Sequence, residues 1–78
     1  ELTEEKRKDY VKQVKALAED GKVALRNARE DARNNVKKQE LPEDEENSYY
    51  EEIQELINKY NKIIDEKAKA KEEELMKV

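Results

Sequence analysis

A single glycine, Gly21, and a single proline, Pro42, punctuate 78 residues. Sheets need turn residues every roughly 8–12 positions, and a chain with two such residues in all cannot supply them. Long helices are what remains. Pro42 has no backbone N–H and suits the first turn of a helix, where that group would lack a partner anyway, so it marks the restart after the one reversal.

The first helix is expected to start after Thr3, whose hydroxyl can cap the following N–H groups, with Glu4 and Glu5 at the positive end of the helix dipole. Apolar or small residues then recur at Tyr10, Val14, Leu17, Gly21, Ala24, Ala28 and Ala32, the alternating spacing of a helix–helix seam. Glycine inside a helix costs roughly 1 kcal/mol relative to alanine, so Gly21 on this seam points to close approach by a neighbour. In the second helix Tyr50, Ile53, Ile57, Tyr60 and Ile64 form the seam, flanked by Tyr49, Leu56 and Ile63. The tyrosines are read as packing residues with their hydroxyls at the margin, in preference to platforms for bases. Glu43, Asp44, Glu45 and Glu46 sit at the positive end of that helix, which accounts for their charge without a metal.

The predicted fold is therefore all-α: two long antiparallel helices forming a single hairpin domain, with a helix over 4–38, a turn over 39–42 and a helix over 43–77. The stripe on the second helix spans roughly 140°, wider than one partner covers, so the hairpin is expected to be part of a three-helix bundle or to be completed by self-association. Lys67 and Lys71 interrupt the seam, and the distal ends are expected to fray.

Charge is divided unevenly. Residues 1–40 carry eleven bases and nine acids, whereas residues 41–78 carry six bases and twelve acids, although the whole chain is net −4. Lys22, Arg26, Arg29, Arg33 and Lys37 follow at steps of four, three, four and four, which on a helix places them within an arc of roughly 80°. No acid shares that arc between Lys22 and Lys37, and the stripe is expected to face away from the core, roughly 140° from the apolar seam. A solubilising face would interleave acids with bases to gain i,i+4 pairs. Arginine outnumbers lysine here three to two, and its planar fork grips phosphate, so the stripe reads as a polyanion contact, with a plain solvated surface as the alternative.

The chain has no cysteine and no histidine. Thiolate and imidazole nucleophiles, disulfides and soft-metal sites are excluded, and neither an enzyme nor a cofactor is expected. Apolar runs of a few residues offer no membrane span or signal core, and a cytoplasmic protein is expected.

The pieces Leu2-Thr3-Glu4-Glu5-Lys6-Arg7-Lys8, Gly21-Lys22-Val23-Ala24-Leu25-Arg26-Asn27-Ala28-Arg29 and Asp31-Ala32 in the first helix lead in order to three more in the second. These are Pro42-Glu43-Asp44, Glu52-Ile53-Gln54-Glu55-Leu56 and Glu73-Glu74-Leu75-Met76-Lys77-Val78. In that order they resemble the C-terminal two helices of the helical domain of the bacterial ribosome recycling factor. The chain departs from the pattern at Glu30, where the family usually has a second arginine.

The resemblance implies a three-helix bundle that binds large-subunit ribosomal RNA and, with elongation factor G, splits the post-termination ribosome. It also implies RNA contacts for Arg26, Arg29 and Arg7. The family's N-terminal helix and β-rich domain are not in this sequence, which starts at Glu1 without methionine, so a fragment or an engineered derivative is expected. The partners expected are large-subunit rRNA, elongation factor G, and a third helix or a second copy. The rival expectation is a self-associating hairpin, or a designed derivative of the family domain, with no RNA activity.

Overall fold

The computed structural model describes residues 3–77. Glu1, Leu2 and Val78, at the two ends of the resemblance, lie outside the described residues. The chain forms α1 (Glu4–Lys38) and α2 (Glu43–Met76), so the second helix stops one residue short of its expected end. The hairpin measures 59 × 15 × 10 Å. Its radius of gyration is 17.9 Å, against about 11.5 Å for a compact chain of this length, so it is a rod.

Local chemistry sets both starts and the reversal. Thr3 caps α1, its hydroxyl accepting from the Lys6 N–H at 3.2 Å. Lys37 and Lys38 occupy the last turn, where cations suit the dipole. Glu40 then adopts φ 51°, the left-handed conformation that commonly ends a helix, and its N–H donates to the Lys37 carbonyl at 3.2 Å. Pro42 sits immediately before α2, and its carbonyl accepts from the Glu46 N–H at 2.9 Å.

The helices are antiparallel, since positions advancing along α1 meet positions receding along α2: Val11 shares a groove with Met76, Gly21 meets Ile64 and Arg33 meets Tyr50. A Cβ on Gly21 would lie 3.2 Å from Ile64 Cδ1, so the missing side chain is what permits this approach. The distal ends stay helical and paired. Lys8 and Val11 of α1 share a groove with Glu73 and Met76 of α2, in place of the expected fraying.

The seam on α1 is rotated from its expected position. Val11, Val14, Ala18, Gly21, Leu25 and Ala32 are half-buried and Val36 is buried, whereas Tyr10, Leu17, Ala24 and Ala28 are exposed. On α2, Tyr50, Ile53 and Ile64 are half-buried and Ile57 is buried, as expected, but Tyr60 is exposed. The reason lies in the width of the apolar sector. Small and apolar residues cover roughly 140° of α1, and α2 occupies the half of that arc nearer the cations. The other half, with Leu17 70% exposed on α1 and Leu56 53% exposed on α2, lies open. Val36 and Ile57 are the only buried hydrophobic residues among those described.

No helix among the described residues is long and apolar enough to cross a membrane.

Candidate nucleic-acid interface

The rotation of the seam relocates the basic stripe. Its centre lies roughly 80° from the middle of the packed face of α1, so the cations border α2 instead of facing away from it. Lys22 and Arg29 are half-buried at that border, while Arg26, Arg33 and Lys37 are exposed. The expectation that all five point away from the core is thereby corrected. Arg7 is half-buried near the far end of the same helix.

Each cation meets a different environment. Lys22 Nζ contacts Asp65 Oδ1 of α2 at 2.6 Å. That hydrogen bond raises the Lys22 pKa above its ordinary value; partial burial opposes it, and the charges of Asp65 and Glu19 add to it. Among the described residues, Arg29 reaches only its neighbour Glu30, at 3.7 Å. Glu30, the departure from the family pattern, thus touches the stripe from its edge. The Arg33 guanidinium carbon lies 4.3 Å from the centroid of the Tyr50 ring. Among the described residues, Arg26, Arg33 and Lys37 have no carboxylate within 4.0 Å.

Lys22, Arg26 and Arg29 line one groove together with Ile57 and Asn61 of α2. The Asn61 Oδ1 atom is buried there without a hydrogen-bond partner. A buried acceptor beside cations is costly to leave unpaired, so this groove is polar by construction and not a packing defect of the apolar seam. Tyr50 is anchored at its far end, where its hydroxyl donates to Glu46 Oε1 at 2.8 Å. This hydrogen bond, aided by desolvation, raises the Tyr50 pKa.

The structure brings together Lys22, Arg26, Arg29 and Arg33 along one border. Lys37 follows on the same arc beyond Arg33, and Arg7 stands several turns away. Three contributors on α2 were not among the expected site residues: Asp65, Asn61 and Tyr50. Only the register of the hairpin reveals them. Lys8 and Lys15 were also missed, although they continue the arc toward the N-terminus, where Glu19 and Glu4 are acids on the same arc and Glu4 pairs with Lys8; that pattern was visible in the spacing.

The ribosome recycling factor family model matches residues 1–76. The chain belongs to the ribosome recycling factor family. It is 48% identical to the ribosome-recycling factor of Exiguobacterium sibiricum, with 99% of this chain and 44% of that protein covered. It is 51% identical to those of Flavobacterium johnsoniae and Pseudomonas putida, again over 99% of this chain, covering 43% and 44% of those proteins. The chain therefore spans less than half the length of these ribosome recycling factors. No solved structure matches it.

Proposed function

We propose that this hairpin serves ribosome recycling by binding large-subunit ribosomal RNA through the basic border of α1, with Lys22, Arg26, Arg29, Arg33 and Lys37 meeting phosphates and Arg7 adding a contact nearer the N-terminus. The observation that carries this reading is the run of five cations along one border of α1, three of them lining one groove with Asn61, in a chain that is net −4. Binding energy then does the work, without covalent chemistry, in the cytoplasm and with elongation factor G as the partner that the family resemblance implies.

Phosphate neutralisation releases counterions, so RNA affinity falls with salt at a slope of roughly −0.7 to −0.9 per contact. Filter binding to large-subunit rRNA across a salt series tests this. Arg26→Glu with Arg29→Glu is expected to flatten the slope and lower retention; binding indifferent to salt, or to this pair of reversals, overturns the reading.

A second reading rests on the opposite border. Leu17, Leu56, Tyr49 and Tyr60 are exposed together, and such a face favours a hairpin whose role is association with a third helix or a second copy. Sedimentation separates the two. A stable dimer that retains no more rRNA than an acidic control helix supports the second reading over the first.

A further inference from the structure

Arg33 differs from the other cations of the border in what lies beneath it. Lys22 is held by a carboxylate and Arg29 touches one, but Arg33 rests over an aromatic ring and meets no acid within 4.0 Å among the described residues. The ring is fixed at both ends. Its backbone belongs to α2, and its hydroxyl is tied to Glu46, itself half-buried. Attraction between a cation and a ring face restrains the guanidinium without consuming its N–H donors. Arg33 nevertheless remains an exposed residue, although one face of its guanidinium lies over the ring. A simple latch between helices would bury the guanidinium or hydrogen-bond it to α2.

We propose that Arg33, laid over the ring of Tyr50, is a stacking platform for one unpaired RNA base. The inference rests on the RNA reading above and refines it, giving Arg33 a base in place of a phosphate and so adding a ligand class: a single strand or a splayed nucleotide, as opposed to duplex backbone alone. Guanidinium planes receive unstacked bases because their charge is delocalised over a flat surface. Position supports this. Arg33 lies one helical turn past Arg29, about 6 Å along the axis, so a strand with phosphates on Arg26 and Arg29 brings a neighbouring base over it. Glu46, bound to the ring's hydroxyl, and Glu43, Asp44 and Glu45 in the same first turn of α2 disfavour a phosphate directly over Tyr50 and leave a neutral base undisturbed.

The test uses the 78-residue chain with an RNA oligonucleotide carrying 2-aminopurine, as a single strand and as a duplex of equal length. Wild type is expected to raise the single-strand fluorescence, since a base drawn onto Arg33 leaves the neighbouring bases that quench it. Arg33→Lys keeps the charge and removes the plane; it is expected to weaken single-strand binding roughly 5- to 100-fold, the range for losing one stacked base, with duplex affinity and salt slope unchanged. Tyr50→Phe keeps the platform and binds like wild type, whereas Tyr50→Leu behaves like Arg33→Lys, with circular dichroism checking that helicity is retained. Equal single-strand binding by Arg33→Lys and wild type, or equal losses on both probes, overturns the platform while leaving the phosphate contacts standing. Absence of salt-dependent binding to either probe in wild type overturns the RNA reading and the platform together.

Discussion

The two borders of the helix–helix seam share a backbone and an apolar core yet present opposite chemistry. Along one, Lys22, Arg26, Arg29 and Arg33 stand beside Asn61, Asp65 and Tyr50. Along the other, Val14, Leu17 and Ala18 face Ile63, Ile64 and Ala68 in an open apolar groove. The first border is already partly satisfied by its own chain, through an ion pair, a ring contact and a hydroxyl hydrogen bond. The second has apolar surface and, among the described residues, no hydrogen bond or ion pair across it. A hairpin with a single seam can cover only part of a broad apolar sector, and here α2 lies on the part adjoining the cations. The uncovered remainder is a cost in water unless another surface meets it.

Exchanging charges between the borders is the sharpest way to break this comparison. Arg26→Glu with Arg29→Glu should remove most rRNA retention, whereas Leu17→Glu with Leu56→Glu should leave retention unchanged and reduce any self-association seen by sedimentation. Equal loss of RNA from both pairs would mean that the borders are not separate surfaces. Next in size is Ile57→Ala, which cuts into the seam that both borders share; it should cost roughly 2–5 kcal/mol of stability, read from chemical denaturation, and weaken both sides together. Glu40→Gly acts on the turn alone. Relieving the left-handed conformation of a residue with a Cβ should stabilise the hairpin by roughly 1 kcal/mol and alter neither border, which thermal melts and RNA titration would confirm.

The smallest effect is a pH dependence confined to the basic border. Lys22 and Tyr50 both have raised pKa values, through hydrogen bonds to Asp65 and Glu46 respectively, so folding favours their protonated forms. Their contribution is complete below about pH 10, near the ordinary values of both groups, and is lost as pH climbs through the raised ones. The melting temperature should therefore decline at alkaline pH. Asp65→Asn should make that decline shallower.

Much of the fold could be read before the structure. Thr3, the two acidic first turns and Pro42 bound the helices to within a residue because capping and dipole effects are local. Gly21 announced the close approach that Ile64 makes. The rotation of α1 about its own axis was not legible, because Tyr10, Leu17, Ala24 and Ala28 fit a seam as well as Val11, Ala18, Leu25 and Val36 do. Periodicity ranks faces only when one is clearly more apolar, and this sector is wide. The site inherited the same ambiguity. Its arginines were visible as a pattern, but Asp65, Asn61 and Tyr50 lie far along the sequence from the cations they adjoin, on the other helix, and reach them only through the antiparallel register.

That register carries a mechanical consequence. Each rung across the seam pairs residues nearly equidistant from the turn, so a rung is reached by a short loop only after the rung inside it has formed. The hairpin should close like a zipper from Val36 outward, and a pull on its two termini should part Val11 from Met76 long before it disturbs Arg33 on Tyr50.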